Sequence, residues 1–310
     1  MGNVKIRKRL LKQMTPIIQY LQYLVFIFIE KVFNILPCPY ALRLGKGLGT
    51  LFYYLDKRHR TVALENLEMI YGTRKTSEEI KKISLSCFEN LGISIAEMIR
   101  LKNMNEKELL KSISVEGMEH YHEAMKKGRG LVFIGAHFGN WEMLAIVISL
   151  LFQKGYVVAR KLDNPFIHQR IEKTRTFTGN HFINKNDAFW EMMKLLKKGE
   201  LVGVLMDQNV AKREGVFVPF FGHPACTNKG LAMIVLKTKT PMIPIFMIRL
   251  PNGTHHVIVK PELPLVQTGH LKNDVRQNTA QITLAIEEMV SQCPEQWLWM
   301  HRRWKTQNAP

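Results

Sequence analysis

The segment Gly135-Ala136-His137-Phe138-Gly139-Asn140-Trp141-Glu142 sets an imidazole and a carboxylate five residues apart, between an apolar run and a helix-like stretch. On one continuous helix, residues five apart point about 140° apart. The two groups therefore meet only if His137 stands in a loop and Glu142 in the first helical turn. A carboxylate on one imidazole nitrogen fixes the tautomer and leaves the other nitrogen free to take a proton. Read as chemistry, the pair is a general base, His137, oriented by Glu142. No Ser, Cys or Thr lies inside the segment, so the nucleophile expected is a substrate hydroxyl. Ala136 and Gly139 supply the small residues that a tight loop needs. Read as structure, the same pair is a buried histidine bonded to a carboxylate, and the pattern leaves both readings open. Metal binding is disfavoured, because the spacing is not HExxH and His168, His181, His223, His255 and His256 form no helical ligand pair beside it.

The surrounding periodicity supplies the frame. Leu131-Val132-Phe133-Ile134 is a short continuous apolar run, as expected of a strand buried on both faces. A helix is predicted over 141–152, a strand over 156–159, a helix over 188–198 and a strand over 201–206. A helix over 229–239, strands over 242–248 and 255–259 and a long helix over 274–293 follow. Strands alternating with helices predict an α/β fold with a mostly parallel central sheet flanked by helices. Ligands in such sheets gather at the carboxyl ends of the strands, where His137 and Asp207-Gln208 both fall. Upstream, residues 40–100 read as mostly helical, with Thr76-Ser77-Glu78-Glu79 as a capping start.

The chain has 310 residues, 46% of them hydrophobic, enough for a substantial core. Its net charge of +18 calls for an acidic partner. Nucleic acid is the least favoured of such partners, because the basic residues are spread along the chain and no recognition motif is visible. Cys38, Cys87, Cys226 and Cys293 lie far apart, indicating neither a zinc ribbon nor a disulfide framework. Lys5, Arg7, Lys8, Arg9 and Lys12 precede an apolar stretch from Ile17 to Leu36 whose longest clean run is Tyr23 to Ile29. That pattern predicts a membrane-anchoring helix with its basic arm on the cytoplasmic leaflet; an amphipathic core helix is the alternative. The expected division is 1–36 as arm and anchor and 37–310 as one catalytic domain.

The His137 segment resembles the HX4(D/E) block of the bacterial lipid A biosynthesis late acyltransferases. Three further blocks match that family in order. Arg160-Lys161-Leu162-Asp163-Asn164-Pro165 with Arg175 and Gly179 is similar to its R-x-x-x-N-P…R-x-x-x-G block. Asp207-Gln208-Asn209, Gly215-Val216-Phe217-Val218-Pro219-Phe220-Phe221-Gly222 and Thr227-x-x-Gly230 resemble its D-Q…G-V-x-V-x-F-F-G…T-x-x-G block. Trp297-Leu298-Trp299-Met300-His301-Arg302-Arg303-Trp304-Lys305 resembles its closing W-x-W-x-H-R-R-aromatic-K signature. Asn209 departs from the pattern, since many relatives carry an acid there.

The resemblance implies a glycerolipid-acyltransferase-like α/β fold at the cytoplasmic face of the bacterial inner membrane. It implies transfer of a fatty acyl group from acyl carrier protein to a hydroxyl of a phosphorylated glycolipid, a lipid A precursor, with no cofactor. An acyl-CoA-dependent lysophospholipid or glycolipid acyltransferase is the rival. His137, Glu142 and Arg160 are the expected catalytic residues, Arg160 holding the oxyanion or a phosphate. Asn140, Asn164, Arg175, Asp207, Gln208, Thr227 and Gly230 are the expected substrate-binding residues, with Arg175 a second phosphate ligand. Thr227 and Gly230 are placed at a helix start, as an anion site or a cap. Val216 to Gly222 either line the acyl pocket or are core, and Trp297 and Trp299 are either interfacial or core.

Overall fold

The computed structural model describes residues 2–185 and 187–307, with side chains from Thr15 onward. Four helices lead, α1 (Gly2–Ile35), α2 (Cys38–Leu55), α3 (Lys57–Tyr71) and α4 (Ser77–Leu101). The α/β part follows as α5 (Glu106–Lys111), β1 (Ile113–Glu116), α6 (Met118–Met125), β2 (Leu131–Gly135), α7 (Trp141–Leu151), β3 (Tyr156–Ala159), α8 (Pro165–Thr176), β4 (His181–Asn184), α9 (Ala188–Lys197) and β5 (Leu201–Leu205). The chain then forms the strands β6 (Gly215–Phe220) and β7 (His223–Asn228), α10 (Gly230–Thr238), β8 (Met242–Arg249), β9 (His255–Val259) and α11 (Leu271–Gln292).

Seven strands form one sheet in the order β1-β9-β8-β2-β5-β3-β4, antiparallel only between β8 and β9. The expected α/β sheet is thus present. Every residue of β2 is buried, the physical reason for its unbroken apolar run. Gly135 of β2 is in register with Leu205 of β5. β3 pairs with β5 only through Tyr156–Val202 and Val157–Gly203, although β3 continues beside β4 as far as Ala159–Asn184. The sheet is therefore parted at the carboxyl ends of β3 and β5.

Three features escape the periodicity. β1 and β4 lie at the sheet edges with few buried residues, so neither carries an apolar run. β6 and β7 form a hairpin turning at Phe221 and Gly222, both at positive φ (52° and 75°), as a two-residue type I′ turn requires. Thr227 consequently lies in β7 and not at a helix start.

The leading helices pack on the α/β part through α4, which lies against α7 and the chain after α11 and starts at the expected capping box of Thr76 and Glu79. α2 and α4 meet through Gly45, Gly49 and Gly92. A Cβ on Gly92 would run into the carbonyl oxygen of Gly45, and one on Gly45 would lie 2.7 Å from that of Gly92. Gly92→Val is expected to force the helices apart, at about 3 kcal/mol. Thermal unfolding should then fall by on the order of 5 °C; an unchanged midpoint would show that the two backbones do not need this approach.

The stretch Thr15–Ile35 of α1 has mean hydropathy 1.3 and is long and apolar enough to cross a membrane. Its residues Ile17, Leu21, Leu24, Val25 and Phe28 are exposed. Its one buried acid, Glu30, is held by Lys102 (2.6 Å) and by the guanidinium of Arg170 (2.8 and 2.9 Å). Arg100 donates to the carbonyls of Phe33 and Leu36. These bonds fasten the end of α1 to α4 and α8. The side chains of Lys5, Arg7, Lys8, Arg9 and Lys12 lie outside the described residues.

Candidate active site

His137 and Asp207 each stand two residues beyond the paired ends of β2 and β5, and this register brings them together. Asp207 Oδ1 lies 2.8 Å from His137 Nδ1, while Asp207 Oδ2 accepts from the His137 backbone N–H (2.9 Å) and from Trp297 Nε1 (2.8 Å). Gly139 closes the loop at φ 55°, with its Cα so near the Met247 carbonyl that no Cβ fits. Trp141 sets its ring edge-on to the imidazole at 5.2 Å between centroids.

Burial works against charging His137. The Asp207 carboxylate, with a smaller contribution from Glu142, outweighs it and raises the imidazole above its ordinary value. Burial likewise opposes ionisation of Asp207, but His137, the backbone N–H and Trp297 hold its carboxyl well below the usual range. With Nδ1–H committed to a carboxylate, Nε2 is the nitrogen without a carboxylate partner, and the arrangement can hold or release a proton there. Gln208 Nε2 sits 3.3 Å from Nε2.

This nitrogen faces one cavity of about 820 Å³ at the carboxyl ends of the central strands. Apolar side chains of β2, β5, α7, α9 and α10 make its walls, and Arg160, Arg175, Lys185, Gln208 and Glu214 are among its polar lining.

The carboxylate partner of His137 is therefore Asp207 and not Glu142. Glu142 instead receives a two-pronged guanidinium from Arg175, with Nε at 2.7 Å from its Oε2. Arg175 also lies over the Phe182 ring at 5.5 Å, so its charge is already matched inside the protein. Arg160 stands at the rim, 74% exposed and paired with the still more exposed Asp163. Asn140 is fully buried and caps α7, accepting from Met143 N–H (3.0 Å) and donating to Glu97 (2.7 Å). Asn164 caps α8 and donates to the Gln19 carbonyl of α1 at 2.7 Å. These two are structural caps and not cavity ligands. Thr227 is buried and accepts from Arg303 at 2.6 Å, away from the cavity. Gly230 does line the cavity, but its N–H is taken by Asn228 Oδ1 at 2.7 Å.

Val216 to Gly222 do not line the cavity; Phe220 packs against Trp297 and Trp304 in the core. Trp297 and Trp299 are core residues too, at 1% and 0% exposure. The closing block holds the His137 loop: Leu298 N–H donates to the His137 carbonyl (3.1 Å) and Gly139 N–H to that of Gln296 (2.8 Å). Burial drives His301 down to about 4, and its neutral Nε2 accepts from the Asn209 N–H at 2.9 Å. Arg303, wholly buried, ties the Cys226 carbonyl to Thr227.

Sequence reasoning missed Trp297 as the anchor of Asp207. It also missed the buried set of Glu97, Arg249 and His255 beneath Asn140, in which Arg249 reaches Glu97 at 2.6 and 3.0 Å. No local signal marks that set. The equal offset of His137 and Asp207 from the ends of two buried strands is the signal that could have paired them, where the sequence reading paired His137 with Glu142.

A family model described as bacterial lipid A biosynthesis acyltransferase matches residues 8–306. The chain is 29% identical over 272 residues to a lipid A biosynthesis lauroyltransferase of Escherichia coli (strain K12), covering 87% of each chain. It is 27% identical over 273 residues to a lipid A biosynthesis palmitoleoyltransferase of the same organism, again over 87% of each. A phosphatidylinositol mannoside acyltransferase of Mycobacterium tuberculosis is 25% identical over 162 residues, half of this chain.

Proposed function

The chain belongs to the bacterial lipid A biosynthesis acyltransferase family and is an acyltransferase, and from that premise we propose that it moves a fatty acyl chain from an acyl carrier protein thioester to a hydroxyl of a lipid A precursor. The observation that carries this reading is the pair of buried Asp207 and half-buried His137 opening onto a mostly apolar cavity, with no protein nucleophile in the loop. His137 Nε2 takes the proton of the acceptor hydroxyl as its oxygen attacks the thioester carbonyl. The tetrahedral intermediate then expels the carrier thiolate, which recovers the proton from the imidazolium. The product is an ester, and His137 is again neutral.

Arg160 is the candidate for the developing oxyanion or for a phosphate of the acceptor. Its pair with Asp163 is exposed and worth little in water, so the guanidinium can turn inward at small cost. The exposed apolar face of α1 suits the hydrocarbon edge of a bilayer. A basic arm before it suits the anionic cytoplasmic leaflet of the inner membrane, and the +18 charge suits an acidic carrier protein and a phosphorylated acceptor.

Mass spectrometry of lipid A and of phospholipids, with and without the gene, tests the acceptor. The expected result is lipid A lacking one acyl chain in the deletion, with unchanged phospholipids; the reverse would favour the lysophospholipid acceptor and sink this reading. Purified protein offered acyl carrier protein or CoA thioesters of one chain should prefer the carrier.

A further inference from the structure

The cavity lining belongs to both faces of the central sheet, which an unbroken sheet would keep apart. Toward α7 lie Phe133, Gly203 and Val157, in register on adjacent strands, beneath Leu144 and Ile148. Toward α9 and α10 lie Val158 and Val204, facing Met192 and Ile234. The two spaces join because β3 leaves β5 after Val157, so the next residues of each strand border an open slot instead of pairing. That slot is at the carboxyl ends, the level from which the His137 loop departs.

We propose that the cavity is bilobed and holds two apolar chains at once, one on each face of the sheet: the acyl group of the donor, and an acyl chain of the lipid acceptor. The proposal rests on the reading of the protein as a lipid acyltransferase and adds where its two substrates lie. Its volume of about 820 Å³ is near the top of the range for pockets that take a single small molecule. Chains entering from opposite faces have their polar ends brought together at the slot. That is the geometry a bimolecular acyl transfer needs at one base, because it removes the cost of bringing two reactants into register.

Each lobe can be filled separately. A Cβ on Gly203 would have its nearest neighbours, the Tyr156 carbonyl oxygen and Val157 Cγ2, at 3.9 Å, so Gly203→Val grows into free space on the α7 face. Ile234→Phe fills the other lobe from α10. Purified full-length protein and both variants are assayed with donors from decanoyl to palmitoyl on one acceptor, then with acceptors of graded chain length on one donor. One variant should shift the donor profile to shorter chains, with on the order of tenfold lost per displaced methylene, and leave the acceptor profile alone. The other variant should do the opposite. A loss graded by chain length is not what a folding defect produces; Gly203→Ala and Met192→Phe repeat the comparison if either variant fails to fold. Both variants shifting the same profile, or neither shifting any, overturns the two-chain arrangement. Wild-type protein inactive on every lipid acceptor would instead overturn the functional reading, and this proposal with it.

Discussion

His137→Ala should lower acyl transfer by roughly two to four orders of magnitude, the range for loss of a general base, in a protein that still folds. The side chain meets Asp207, Gln208 and Trp141. The bonds that hold the loop, from His137 N–H to Asp207 and from Leu298 N–H to the His137 carbonyl, are made by the backbone and survive the substitution. Asp207 keeps two of its three donors, while its Oδ1 loses its partner, at about 1–3 kcal/mol. The loss should therefore appear in kcat with little change in KM, because the imidazole acts on the proton of a hydroxyl that is already bound. Near-wild-type turnover in a folded variant would remove His137 from the mechanism.

Much of the fold was legible because its centre is a parallel sheet. Strands buried on both faces, such as Leu131–Gly135, must be apolar throughout, and the helices between them must carry one apolar stripe. Edge strands obey no such rule, which is why Ile113–Glu116 and His181–Asn184 pass unnoticed. The histidine was legible for the same reason as the strand before it. Its partner was not, because the spacing from His137 to Glu142 suggests a contact along the chain, whereas the actual contact crosses between strands 70 residues apart.

The polar residues of the recurring blocks divide along the same line. Asn140 and Asn164 look like ligands in sequence, yet each begins a helix and satisfies its free N–H groups. Thr227 reads in sequence as an anion site or a cap, yet inside the core it accepts from Arg303 of the closing block. Whether a position serves chemistry or architecture depends on which side of the strand end it occupies, and of the ten expected catalytic and substrate-binding residues only His137, Glu142, Arg160, Arg175, Gln208 and Gly230 border the cavity.

Asp207→Asn is the change that separates the two carboxylates, and its expected effect follows from which oxygen does what. Asp207 Oδ2 accepts two N–H groups, from the His137 backbone and from Trp297, and neither donor can turn away. The amide oxygen of the substituted side chain must therefore stay on that side, which turns its NH2 toward His137 Nδ1. Nδ1 then has to be the bare, accepting nitrogen, the proton moves to Nε2, and the imidazole presents no lone pair to the acceptor hydroxyl. A loss on the order of 10²–10⁴ in kcat is expected, comparable with removing the histidine. Asp207→Ala is the poorer test, since orphaning two buried donors costs about 1–3 kcal/mol each and confuses stability with chemistry. The residual activity should carry a second mark. The base works only when neutral, and in the wild type Asp207 outweighs burial and raises His137, so activity is lost as pH falls through a value above the ordinary imidazole pKa of about 6.5. Without the negative charge, burial prevails and the acid limb of kcat/KM moves to lower pH. Glu142→Gln, which weakens the pair with Arg175 while leaving Asp207 in place, should cost less and move the limb less. A profile in which Glu142→Gln is the more damaging of the two, or in which Asp207→Asn leaves the acid limb where it was, would return the orienting role to Glu142.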